Sequence, residues 1–327
     1  MISDATLRFR GVTRAIVVLA AAASVLCAFG CGGAVETPAV DADELPLPLP
    51  VDATASPERI ITFAPHITET VFALGKGALV VAVSDFCDFP PAVEDLDRVG
   101  GWHNPDLEKV TRLSPTLVIV QGEHAKVTQL ARRRDFELLR LDMDSLDTIR
   151  EGIRTVGERL DCSEAAETLI AEFDAGLDAV RAAVASRSRV PVLILTGRQL
   201  RDMTRFHTVG GASFISELVD VAGGANIYAD ASRPYIEASK ETVVMRAPEA
   251  VIEVHAGQEL PEDIRAQYIA DWRQLPSLPA VQSGRIYLVT DSHALRPGPR
   301  APEIAAGIAR LLHPDAEPEL EDHGRTP

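Results

Sequence analysis

The sequence predicts an α/β protein of two similar lobes with central parallel sheets, joined by one long backbone helix, with a ligand cleft between the lobes. Three observations lead there. First, seven short β-branched runs alternate with amphipathic stretches: "RIITFAP", "ALVVAVSDF", "TLVIVQG" and "ELLRLDM", then "PVLILTG", "EAVIEVH" and "RIYLVTD". Apolar strands separated by helix-period segments imply parallel sheets with crossover helices. Second, Glu108, Val110, Pro115, Val118 and Ile119 recur as Glu241, Val243, Pro248, Val251 and Ile252, at a constant offset of 133 residues. The aromatics Trp102 and Tyr235 share that offset. Third, an uninterrupted helical pattern, "CSEAAETLIAEFDAGLDAVRAAVASRSR", lies between the two copies.

Residues 1–31 read as an export leader. Arg8, Arg10 and Arg14 precede the short apolar run "AIVVLAAAASVLCAFG", which is charged, apolar and small-residue-ended in the order of a signal peptide. The run is too short and alanine-rich for a spanning helix, which needs about 20 apolar residues. In "AFGCGG" a small residue stands directly before Cys31, resembling the lipobox of bacterial lipoproteins. The expectation is a lipid on Cys31 that anchors the protein to a membrane; the alternative is an ordinary cleaved leader. Both readings take the chain out of the cytoplasm. Residues 32–56, rich in Pro, Asp and Ala, lack apolar periodicity and read as an extended tether.

The formal net charge is −16. Residues 1–30 hold three arginines and one aspartate, so their removal leaves the remainder still more acidic. That argues against nucleic acid or anionic lipid as direct partners. Only Cys87 and Cys162 lie beyond the leader, open either to a disulfide or to two thiols, with no spacing suited to a metal.

The first lobe is expected over 57–160, the second over 189–315, and an acidic tail over 316–327. Each repeat copy reads as a helix with an acidic first turn, a proline stop, then a buried strand. The connecting helix is expected over 163–187, with Ser163 as N-cap and Glu164 and Glu167 favouring the dipole at its start. Ala166, Leu169, Ile170, Phe173, Leu177, Val180 and Val184 share one face. At about 1.5 Å per residue such a helix spans both lobes and leaves little hinge freedom.

Ligands of open parallel sheets bind beyond the carboxyl ends of the strands. The residues read as following strands are His66, Phe86, Trp102, His103, His207 and His293, with Tyr235 in the matching loop of the second lobe. Aromatics facing across a cleft suit a large, partly apolar ligand; the structural alternative is that Phe86 and Tyr235 belong to the lobe cores. No GxSxG, HExxH or P-loop pattern occurs, so an enzyme is not expected. "TVGGAS" reads as a tight turn feeding a helix. Glu108 and Glu241 either complement helix dipoles or form a pair of exposed carboxylates, one per lobe, that dock on partner arginines.

The blocks "FAPHITETVFALG", "SDFCDFPP", "RVGGWHNPDLEKVTRLSPTLVIV", "GGASFISELVDVAGGANIYAD" and "LRPGPRAPEIAAGIARLLHP" together resemble the substrate-binding proteins of ABC importers for cobalamin, ferric siderophores and haem. The resemblance runs from Arg59 to Pro314 and is greatest for the cobalamin-binding branch. It implies a monomeric two-lobe receptor that carries cobalamin, or an iron chelate, as cargo without a cofactor of its own. It also implies cleft aromatics at Phe86, Trp102 and Tyr235, and permease-docking carboxylates at Glu108 and Glu241. His66, His103, His207, His293 and Arg296 complete the candidate ligand site. The histidines keep haem, a siderophore or a direct Zn or Mn site as alternatives, and a surface enzyme or metallochaperone stands further off.

Overall fold

The computed structural model describes residues 58–316. Cys31, the leader, the tether and the tail from residue 317 lie outside the described residues. The first lobe holds β1 (Ile60–Thr62), α1 (Pro65–Ala73), β2 (Val80–Val83), β3 (Asp97–Arg98), α2 (Leu107–Leu113), β4 (Leu117–Gln121), α3 (Ala125–Ala131), β5 (Glu137–Leu141) and α4 (Leu146–Arg159). Its five strands are ordered β3-β2-β1-β4-β5 and every pairing is parallel. The central strands of such a sheet are covered on both faces, so β1, β2 and the first four residues of β4 are nearly all apolar, whereas the edge strands β3 and β5 carry charged residues. In β4, Leu117 and Ile119 enter the core shared with the second lobe, while Val118 and Val120 enter one private to the first.

α5 (Ser163–Val184) leads into β6 (Val190–Leu195), β7 (Arg205–Val209), α6 (Phe214–Val221), β8 (Gly224–Asn226), β9 (Tyr235–Ser239), α7 (Lys240–Arg246), β10 (Ala250–Val254), α8 (Glu262–Asp271), α9 (Pro279–Ser283), β11 (Ile286–Val289) and α10 (Ala301–Leu312). The second sheet runs β11-β10-β6-β7-β9, with β8 beside the first half of β6. It is mixed: β7 lies antiparallel to both β6 and β9. This reversal is not visible in the continuous apolar runs. "RFHTV" and "YIEAS" alternate exposed and buried residues instead, with Phe206 and Ala238 turned inward, the period of strands with one solvated face.

The repeat is real in three dimensions. α2 and α7 are seven residues each, and β4 and β10 five each, all displaced by the same offset. Both helices end on a left-handed residue, Ser114 at φ 46° and Ala247 at φ 48°, and a proline follows each.

The connecting helix α5 ends at Val184, short of the expected residue 187. Its N-cap is Cys162, which offers no side-chain hydrogen bond, and Ser163 sits one place inside the helix. Leu169 is half-buried and Ala183 joins the buried face. Arg150 and Arg154 of α4 pair with Asp174 and Glu167 of α5 at 2.6 and 2.8 Å. Phe173, Leu177 and Val180 belong to one core that also contains Ile60 and Ile119 of the first lobe and Val192 and Ile252 of the second. The lobes are thus packed on a common spine. Cys87 and Cys162 are both free thiols; Cys87 is buried 3.1 Å from the Thr68 hydroxyl.

Candidate functional site

The site begins with three aromatic side chains that the cores leave outside. Phe86, Trp102 and Tyr235 are 66%, 37% and 47% exposed. Phe86 follows β2, and its ring lies over Gly101: a Cβ there would come 2.7 Å from Phe86 Cε2. Trp102 occupies a loop closed by a bridge between Gly100 and Pro105. Asp85 Oδ1 accepts the Gly100 amide at 3.1 Å, and the Asp85 amide donates back to the Gly100 carbonyl. The Phe86 and Trp102 turns are therefore one unit. Tyr235 opens β9 rather than standing in a loop. Burial raises the pKa of its hydroxyl, Ser213 at the N-cap of α6 opposes the rise, and the charge of Asp144 in the first lobe adds to it.

The lobes meet beside these rings. The Phe214 amide donates to the Asp144 carbonyl at 2.8 Å, and Glu217 Oε2 accepts the Leu146 amide at 3.1 Å. A denser seam joins α1 to the turn before α10. Arg300 Nε and Nη2 reach the two oxygens of buried Glu69 at 2.9 and 2.6 Å, and Arg296 Nη1 reaches Glu69 Oε1 at 3.1 Å. Arg296 Nη2 also bonds Asp88 Oδ2 at 3.0 Å and the Phe86 carbonyl at 3.2 Å. Arg300 lies over the Phe89 ring, 4.3 Å from its centroid. Arg296, expected to face a ligand, has its guanidinium engaged across the seam, so a ligand acceptor would compete with Glu69 and Asp88. Gly298 permits the close approach; a Cβ on it would lie 2.9 Å from His66 Cβ.

The histidines separate. His66 is buried on α1, its Nε2 3.2 Å from Gln121, and burial brings its pKa down to about 4. His103 is exposed beside Trp102, and its carbonyl accepts Lys126 Nζ at 2.9 Å. His207 lies within β7, not after a strand, exposed and in register with Glu237. His293 is turned toward Glu303, 3.9 Å away, and its pKa is lowered by burial first and by the Arg300 charge second. Among the described residues no three His, Cys, Asp or Glu side chains gather as a metal site. Sequence reasoning missed Glu69, Asp88, Arg300, Gln121, Asp144 and His124. A lone carboxylate within "HITETVFA", a stretch with no other acidic residue, was the one available signal for the seam.

Glu108 and Glu241 occupy the second position of α2 and α7, both fully on the surface. The Glu241 carboxyl is held below the usual range by its own amide and by Ser239. An open pocket of about 420 Å³ borders the Glu217–Leu146 contact, between Leu146, Ser216, Glu217 and Asn226. It has no aromatic wall, and its rim charges Arg189 and Asp220 pair with each other. The exposed aromatics mark the better candidate. No helix among the described residues is long and apolar enough to cross a membrane.

The comparisons with known proteins bear on the fold and the family. A vitamin B12-binding protein of Pectobacterium atrosepticum is 28% identical over 270 residues, covering 79% of this chain and 91% of that protein. The periplasmic heme-binding protein RhuT of Roseiflexus sp. RS-1 superposes with a TM-score of 0.67 at 26% identity, over 80% of this chain and all of that one. The periplasmic vitamin B12-binding protein BtuF of Vibrio cholerae shares the fold, with a TM-score of 0.65 at 24% identity over 82% of this chain and 98% of that one. The periplasmic binding protein family model matches residues 60–292, and the chain belongs to that family.

Proposed function

We propose that this protein is an extracytoplasmic solute receptor that captures cobalamin or a related corrinoid in the inter-lobe cleft and delivers it to an ABC importer permease. The observation that carries the reading is the trio of exposed rings, Phe86 and Trp102 on one lobe and Tyr235 on the other. Exposed aromatics contributed by both lobes suit a shared ligand, and aromatics grip flat, apolar faces. The name of the Pectobacterium relative supports the corrinoid. The likeness to the heme-binding protein of Roseiflexus keeps an iron chelate as the second reading within the same class. The receptor is not an enzyme, acts as a monomer, and is held at a membrane by a lipid on Cys31. Glu108 and Glu241 dock on the permease, away from the rings.

Calorimetric titration of residues 57–327 with cyanocobalamin tests the reading, with haem, a ferric hydroxamate siderophore and Zn in parallel. One-to-one corrinoid binding that weakens strongly in Trp102→Ala is the expected result. Binding of haem or siderophore alone reassigns the ligand within the class. Zn binding alone, or turnover of any of these molecules, overturns the proposal.

A further inference from the structure

We infer that His124 is the positioning residue for Trp102: the imidazole, rather than the loop carrying the tryptophan, sets the angle at which the indole meets a ligand. The inference rests on the solute-receptor reading for its ligand, but its geometry stands in the empty protein.

His124 precedes α3 and is 3% exposed. Its ring lies 4.6 Å from the Trp102 ring, at 51°, and 5.4 Å from Phe63, edge-on. Trp102 is thus the outer ring of a three-ring column whose inner end is the lobe core, where Phe63 is buried. The imidazole Nε2 is buried and, among the described residues, has no hydrogen-bond partner. Burying an unpaired polar nitrogen is costly, and folded proteins rarely leave one. Hydrogen bonding through that atom therefore does not explain the ring's place, whereas its contact faces do. Burial also lowers the His124 pKa, which favours the uncharged ring. The same helix start fixes the next loop residue, through Lys126 Nζ on the His103 carbonyl. The Trp102 loop itself is pinned at Gly100 and Pro105. That fixes the backbone and leaves the indole angle to what lies beneath it.

A double-mutant cycle on the purified full-length protein tests this. With cyanocobalamin as probe, His124→Ala should weaken binding about tenfold, the order of an aromatic pair. His124→Phe, which keeps a ring and removes the unpaired nitrogen, should restore affinity. In a Trp102→Ala background, His124→Ala should change affinity by less than about twofold, because coupled residues are not additive. Additive losses, or a Phe variant as weak as the Ala variant, would overturn the inference.

A second readout needs no ligand. The chain has two tryptophans, and Trp272 is fully buried, so acrylamide quenches chiefly Trp102. His124→Ala should raise that quenching and His124→Phe should not. Unchanged quenching in His124→Ala overturns the inference even if no corrinoid binds, so its failure is distinguishable from failure of the receptor reading.

Discussion

Single residues in this protein show how burial decides chemistry. His66 was a ligand candidate from its place after the first strand, yet it lies under the seam with its ring against Gln121. Its pKa of about 4 has a definite consequence for stability. Above pH 6.5 the ring is neutral in both folded and unfolded chains. Between pH 6.5 and 4 the unfolded chain takes a proton that the folded one refuses, so stability falls as pH falls through that window. Below about pH 4 the contribution is flat. The full loss is about 3 kcal/mol. Urea unfolding at pH 7 and pH 4 should show a loss smaller by about that amount in His66→Gln than in the parent. His124 and His293 shift in the same direction but remain in both proteins, so the difference isolates His66. Equal losses would mean that His66 is solvated.

Elements built on continuous apolar runs were legible in the sequence; those built on alternation were not. All seven runs are strands, because a parallel strand covered on both faces is apolar at most positions. β7 and β9 were missed since each has one solvated face, and His207 and Tyr235 were consequently placed on loops. α5 was legible from its apolar spacing, but its start was misread by one residue. Cys162 leaves the first amides of α5 without a side-chain acceptor, and a hydroxyl there supplies one. Cys162→Ser should therefore stabilise the protein by about 1 kcal/mol, seen as a rise of a few degrees in the unfolding midpoint. A fall in the midpoint would show that the half-buried sulfur packs better than it appears from its exposure.

At the scale of the whole molecule, the two lobes could be read from the repeat, but the seam between them could not. Glu69 meets Arg296 and Arg300 across separations of 227 and 231 residues, and no local pattern announces a partner so distant. Two arginines share one buried carboxylate, and Glu69→Ala leaves Arg300 without its carboxylate partner while Arg296 keeps Asp88. A loss of about 3–5 kcal/mol is expected, read as a drop in the denaturant midpoint; a change under about 1 kcal/mol would make the seam incidental. The carboxylates proposed for docking are the opposite case. Glu108 and Glu241 stand in equivalent first turns of α2 and α7, on the surface and outside the seam. The shared core and the seam hold the lobes on one spine, so the spacing between these two carboxylates is fixed before any partner arrives. A rigid pair of charges suits recognition by two arginines on a symmetric partner, and little is gained from either alone when both must register. Glu108→Ala with Glu241→Ala should leave the calorimetric affinity for cyanocobalamin unchanged within about twofold, as expected of groups that act on the partner and not on the ligand. Uptake of labelled corrinoid by cells carrying the permease should fall to background, with each single variant intermediate. Collapse of ligand affinity in the double variant would place the carboxylates in the binding site, and full uptake would remove them from docking.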